Sequence, residues 1–306
     1  MPPRHQGPGG GVISRRQLWA LVALTLMWGV NWPMMKLSLR ELSPLYFRAL
    51  TMTCGALGLY IFYRVRGLRM WPRGGEWRSV IVLGLPNMLG WHTVSILGVQ
   101  QLASGRAAIL GFTMPIWTVL ISVLFLGEKL TRRVAFAAVA VAVAIALLTA
   151  NEFTTLAGRP IGVAWMGLAA LLWAVGTLML RRAHLTLPVE TLTVWMMILA
   201  SICLWGIAWI SEPWPVWQFS SFMWISLTYA AFINYGFAQI IWSGLARNLP
   251  PATSAMSIMA VPLVGTLTAT VIVGESPHWQ DFAAVGFVMA AIAAVLLPTR
   301  LKVETA

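Results

Sequence analysis

TMPIWTVLISVLFLGE, Thr113–Glu128, has a frame that the chain writes again as AVPLVGTLTATVIVGE, Ala260–Glu275. In each, a proline (Pro115, Pro262) opens an apolar run that closes on Gly-Glu (Gly127-Glu128, Gly274-Glu275) at the same spacing. An apolar run stopped by glycine reads as a helix with its C-terminal signal. Two such helices in corresponding places predict a duplicated chain.

The sequence around both copies is suited to lipid. Of 306 residues, 59% are hydrophobic and 10% charged, and the uncharged runs reach the roughly 20 residues that a helix needs to cross a bilayer. One soluble core is excluded by this composition. Runs bounded by charge, Pro or Gly predict ten spans, at about 17–36, 43–65, 79–99, 105–126, 133–150, 161–181, 189–210, 220–244, 252–274 and 279–298. The fold expected is all-α, a polytopic membrane protein with five helices in each repeat, 17–150 and 160–298, between tails 1–16 and 299–306. Trp28, Met34 and Lys36 are echoed by Trp173, Met179 and Arg181, and Pro44 by Pro188. Because five is odd, the second repeat would enter the membrane inverted, an arrangement common in secondary transporters.

Charge sets the orientation. Most of the 21 Lys and Arg fall in segments on the N-terminal side, whereas the other side keeps Lys36, Arg40, Arg48, Arg106 and Arg159. By the positive-inside rule both termini are expected in the cytoplasm. The net charge of +12 then reflects topology, so the lipid bilayer is the expected partner and nucleic acid is not. Met1–Arg16, basic and rich in Gly and Pro, reads as a retained tail rather than a signal peptide. Cys54 and Cys203 both fall in spans, which predicts neither a disulfide framework nor a metal site. No cofactor is expected.

Trp28-Gly29-x-Asn31-Trp32 in span 1, Pro44-x-x-Phe47-Arg48 in span 2, and the duplicated Pro to Gly-Glu run closing spans 4 and 9 together resemble the drug/metabolite transporter superfamily with two EamA-type repeats. The many aromatics and the lack of acids within spans resemble the YddG branch of amino-acid exporters. That resemblance implies a multi-pass protein of a bacterial inner membrane that exports amino acids. The repeats differ at Gly176, which stands where the first has Asn31, and span 7 has no counterpart of Arg48.

The residues themselves bound the solute. No phosphate-binding Gly-x-x-x-x-Gly-Lys loop is present, which argues against ATP hydrolysis. Proton or sodium coupling usually uses an acid within the bilayer, and all acids here, Glu128 and Glu275 included, fall in connections or at span ends. Phosphorylated solutes would call for several cavity cations. Arg48 and Arg106 lie about one turn inside their spans, where a long side chain can snorkel to the interface. A neutral or zwitterionic solute fits better. An intramembrane enzyme or a channel is a distant alternative, since the common nucleophile and zinc motifs are missing.

Candidate solute contacts are the polar and aromatic residues that would be costly against lipid. They are Trp28, Asn31 and Trp32 in span 1, Asn87 and His92 in span 3, and Phe112, Thr113 and Trp117 in span 4. Trp173 and Thr177 follow in span 6, Asn234, Tyr235 and Gln239 in span 8, and Met256 and Ser257 in span 9. Each has a plainer reading, as interhelical glue or packing. Arg48, Pro115, Glu128, Pro262 and Glu275 read as gating or structural. The Ala-rich spans 5 and 10 suit peripheral packing, leaving a monomer or a homodimer through them.

Overall fold

A computed structural model describes residues 14–154, 160–242 and 251–296, apart from the side chains at 149, 151–154, 251–259, 295 and 296. Of the expected tails 1–16 and 299–306, residues 1–13 and all of 299–306 therefore lie outside the described residues, as do the side chains of Met256 and Ser257. Helices account for nearly all of the rest. They are α1 (Arg15–Ser38), α2 (Pro44–Val65), α3 (Glu76–Gln101), α4 (Ser104–Phe125), α5 (Arg132–Thr154), α6 (Pro160–Arg182), α7 (Val189–Ser211), α8 (221–242), α9 (Pro251–Ile272) and α10 (Trp279–Leu296). Among the described residues, α1, α2, α3, α4, α6 and α7 are each long and apolar enough to cross a membrane, and Ala260–Ile272 and Trp279–Ala294 are shorter apolar stretches.

Local chemistry sets where the helices start and stop. Ser14 opens α1 with a capping box, its hydroxyl accepting the Gln17 N–H while its own N–H donates to the Gln17 side chain. Pro44 occupies the first turn of α2, where a missing N–H costs nothing. Gly127 and Gly274 stand at φ 73° and 76°, a left-handed conformation that side chains with a Cβ resist. Both turns send the next N–H back into the helix, Glu128 to the Ser122 carbonyl and Glu275 to the Ala269 carbonyl, each at 3.2 Å. The duplicated Gly-Glu is thus the same C-terminal turn built twice.

Among the described residues, two helices widen to π geometry, α3 at Leu85–Gly90 and α8 at Tyr229–Phe237. In α3 the cause is legible, because Pro86 has no N–H to give a regular ladder. Within α4 the axis breaks at Phe112–Thr113, so that Pro115 lies in the first turn of a new segment.

Helix pairing has a simple order. The closest pairs are α1 with α9, α3 with α6, α2 with α7, and α5 with α10, joined by α2 with α8, α3 with α7, α4 with α9 and α4 with α6. Exchanging each helix with the one five places away turns this set into itself, given that α1 also meets α8. Nearly every strong contact therefore joins one repeat to the other. The Ala-rich helices use their small faces on each other: Ala137, Ala140 and Ala144 of α5 and Ala284, Val288 and Ala291 of α10 are buried, which lets the backbones approach closely.

Candidate functional site

Aromatic rings from both repeats form a continuous line through the bundle. Trp32 on α1 meets Phe112 on α4 edge-on at 6.3 Å, Phe112 meets Trp173 on α6 at 6.1 Å, and Trp173 lies 4.7 Å from Trp91 on α3. Trp91 then adjoins His92, whose ring is 5.3 Å from Tyr235 on α8. Such edge and tilted contacts are the favoured geometries of aromatic pairs. Trp91, His92 and Trp173 remain half-buried although they sit between helices. Both π segments border this line, one just before Trp91 and the other containing Tyr235, and π segments recur at functional sites because their extra residue re-aims side chains.

Trp91 was missed in the sequence, where it reads as one more tryptophan beside a glycine. Its neighbour His92 was the only signal. Of the other residues singled out, Trp117 donates its indole N–H to the Thr113 hydroxyl at 3.1 Å and packs with Met114, Ala170, Ala174 and Trp173. Thr177 lies at the limit of contact with the Met114 sulfur, 4.0 Å away. Asn87 donates to the Leu83 carbonyl at 2.9 Å and its amide rests on Gly176, where an added Cβ would come within 2.5 Å of it. This explains why the second repeat has glycine at that position: α3 and α6 approach through it. Trp28 is not in the ring line. It packs on Trp242 at 5.5 Å, in a small cluster with Leu21 and Leu24. Asn234 and Gln239 are half-buried on α8, within and just beyond the π segment.

Arg48 departs from expectation. Rather than snorkelling to the interface, it is 3% exposed, donating to the Tyr235 hydroxyl at 3.1 Å and to the Ser95 hydroxyl at 3.4 Å. The Tyr235 hydroxyl is also 3.0 Å from His92 Nδ1. Helix rotation decided this: α2 turns that face toward α3 and α8, where the side chain is enclosed. Arg106 is buried as well, its Nε donating to Asp281 at 2.7 Å.

Carboxylates sit at helix ends and join the repeats. Glu275 accepts the N–H groups of Ser104 and Gly105 at 2.7 and 3.3 Å, capping a helix whose own N-cap residue, Ala103, has no side-chain acceptor. Glu212 does the same for α2 at Leu45 and Tyr46, where Ser43 makes no capping bond. Glu41 accepts from both the hydroxyl and the backbone N–H of Ser220, and these bonds hold its carboxyl below the usual carboxylate range. Lys36 donates to the Val99 and Gln100 carbonyls at the end of α3, where a cation complements the helix dipole. Glu128 is exposed, beside an open recess lined by Lys129 and Arg133. Pro262 is accommodated inside α9, with Thr266 donating to its carbonyl at 2.9 Å.

Comparison with known proteins gives these features a context. Residues 16–150 and 160–297 each match the model of the EamA-like transporter family. The "Uncharacterized inner membrane transporter YedA" of Escherichia coli (strain K12) is 25% identical over 285 residues, 91% of this chain and 90% of that protein. A "Probable terminal-alkyne amino-acid exporter" of Streptantibioticus cattleyicolor is 27% identical over 277 residues, 86% of this chain and 87% of that one. A solved crystal structure superposes with a TM-score of 0.64 at 21% identity, covering 96% of this chain and 100% of its own, a likeness in fold.

Proposed function

The chain belongs to the EamA-like transporter family, and from that premise we propose that it is a ten-span secondary transporter of a bacterial inner membrane, exporting small zwitterionic metabolites, amino acids above all, by alternating access. The observation that carries the solute class is the ring line with its few polar groups, Thr113, His92, Tyr235 and Arg48, between the repeats. Apolar and aromatic walls with a small number of placed polar groups are how small-molecule sites hold a side chain and orient its head. Every described acid lies at a helix end or in a connection, so the line offers no carboxylate to a cationic drug. The relative named a "Probable terminal-alkyne amino-acid exporter" supports this reading.

Alternating access draws support from the pairing order. Repeats of five helices that exchange partners under a swap are what an inverted pair related by an axis in the membrane plane would produce. With the orientation argued from Lys and Arg, the contacts of Glu41, Glu212, Glu275 and Asp281 all lie at the outer end, where they would hold that side closed.

Counterflow into proteoliposomes tests the reading. Vesicles preloaded with phenylalanine are expected to accumulate labelled phenylalanine or another neutral amino acid, and empty vesicles are not. Failure with the whole set of amino acids, alongside exchange of some other solute class, would overturn the export of amino acids.

A further inference from the structure

Arg48 is a full positive charge buried in the membrane part of the protein, and among the described residues no carboxylate answers it. Among the described residues its partners are two neutral hydroxyls, on Tyr235 and Ser95, and its Nε has no partner at all. Burying an unpaired charge is among the most expensive arrangements a fold can hold, and ionisable groups within membrane segments are retained chiefly for work. Asn31 on α1, a helix that packs on α3 and α8, is 7% exposed, and among the described residues its side-chain oxygen is buried without a donor. An orphan cationic donor and an orphan acceptor are the complement of a zwitterion.

Resting on the reading of the chain as an amino-acid exporter, we propose that the Arg48 guanidinium is the counter-charge for the carboxylate of the transported solute, with Tyr235 and Ser95 holding the guanidinium in place. Guanidinium and carboxylate match in shape and form short charge-assisted bonds. The Tyr235 hydroxyl, shared with His92, ties the guanidinium to the end of the ring line, so a carboxylate seated on Arg48 places the solute's side chain along the aromatic wall. Arg48 therefore selects for a carboxylate, and the rings select the side chain.

The test uses the full chain, purified and reconstituted in methanesulfonate buffer, so that neither chloride nor a buffer carboxylate competes. Three probes share one ring: phenylalanine, phenylalaninamide without the carboxylate, and phenylpropionate without the ammonium. On the wild type, phenylalanine and phenylpropionate are expected to raise Tm, and phenylalaninamide to do so only at concentrations about 10- to 100-fold higher. Arg48→Met is expected to weaken phenylalanine by a similar factor and erase the preference over the amide. Its own Tm without solute should hold or rise, since an unpaired buried charge has been removed. Arg48→Lys keeps the charge without the fork and should fall between the two.

An Arg48→Met protein that binds phenylalanine like the wild type and still rejects the amide would overturn the assignment. So would a wild type that binds amide and acid equally, even while it exchanges amino acids and the export reading holds. Should Arg48→Met not fold, Arg48→Lys with wild-type affinity for phenylalanine would overturn it equally. Conversely, phenylpropionate stabilising the wild type but not Arg48→Met would support the carboxylate site even if no amino acid were exchanged, a result that sinks only the export reading.

Discussion

Glu275 shows how a single side chain can serve two repeats. Gly274 turns the chain at the end of α9, the next residue is thereby thrown back toward the bundle, and its carboxylate meets the bare N-terminus of α4 in the other repeat. A carboxylate there satisfies two orphan N–H groups and complements the helix dipole. Glu275→Ala should cost about 0.5–2 kcal/mol of stability, whereas Glu275→Gln, which keeps an acceptor, should recover part of it. Thermal unfolding of the purified variants in one detergent checks the order, and an alanine variant as stable as the glutamine one would refute the cap. The duplicated Gly-Glu was legible in the sequence as a helix stop. Its capping role was not, because the partner lies 171 residues away along the chain.

Among the helices, α5 and α10 show most plainly what holds the bundle together. Within lipid, apolar side chains gain little by leaving the solvent, so association relies on close packing and on small residues that allow it. Ala137 and Ala291 are fully buried on this pair, while Phe136 and Phe287 point outward. Ala137→Leu or Ala291→Leu should force the helices apart at a cost of about 1–3 kcal/mol, read as a lower Tm. Phe136→Ala on the outer face should leave Tm nearly unchanged. Equal effects at the inner and outer positions would mean that the pair is not the close-packed seam described. The alanine richness of both helices was visible in the sequence, but not that each finds its small-residue partner inside the same chain.

Across the whole molecule, the bonds that join the repeats at one end should have to break for the transporter to work. Ser220 and Glu41 belong to different repeats and are directly hydrogen-bonded. In a chain with Cys54 and Cys203 replaced, the pair Glu41→Cys and Ser220→Cys, bridged by a short reducible thiol reagent, is expected to stop exchange and to recover it on reduction. Exchange at an undiminished rate after complete bridging would show that this end need not open.

What the sequence determined by itself is carried by near neighbours. Hydropathy over about 20 residues shows which segments suit a bilayer, a glycine after an apolar run shows where a helix turns, and the same punctuation at Pro115 and Pro262 shows the duplication. These signals need no knowledge of what lies across the bundle. Tertiary structure alone decided which polar and aromatic side chains meet. It put Trp91 in the ring line and left Trp28 out of it, filled the space over Gly176 with Asn87, and turned Arg48 from the expected interface toward Tyr235. The reason is rotational: a helix adds about 100° per residue, so its facing is set by packing against helices far away in the chain. Arg48 and Tyr235 are 187 residues apart, and only the closed bundle brings them together.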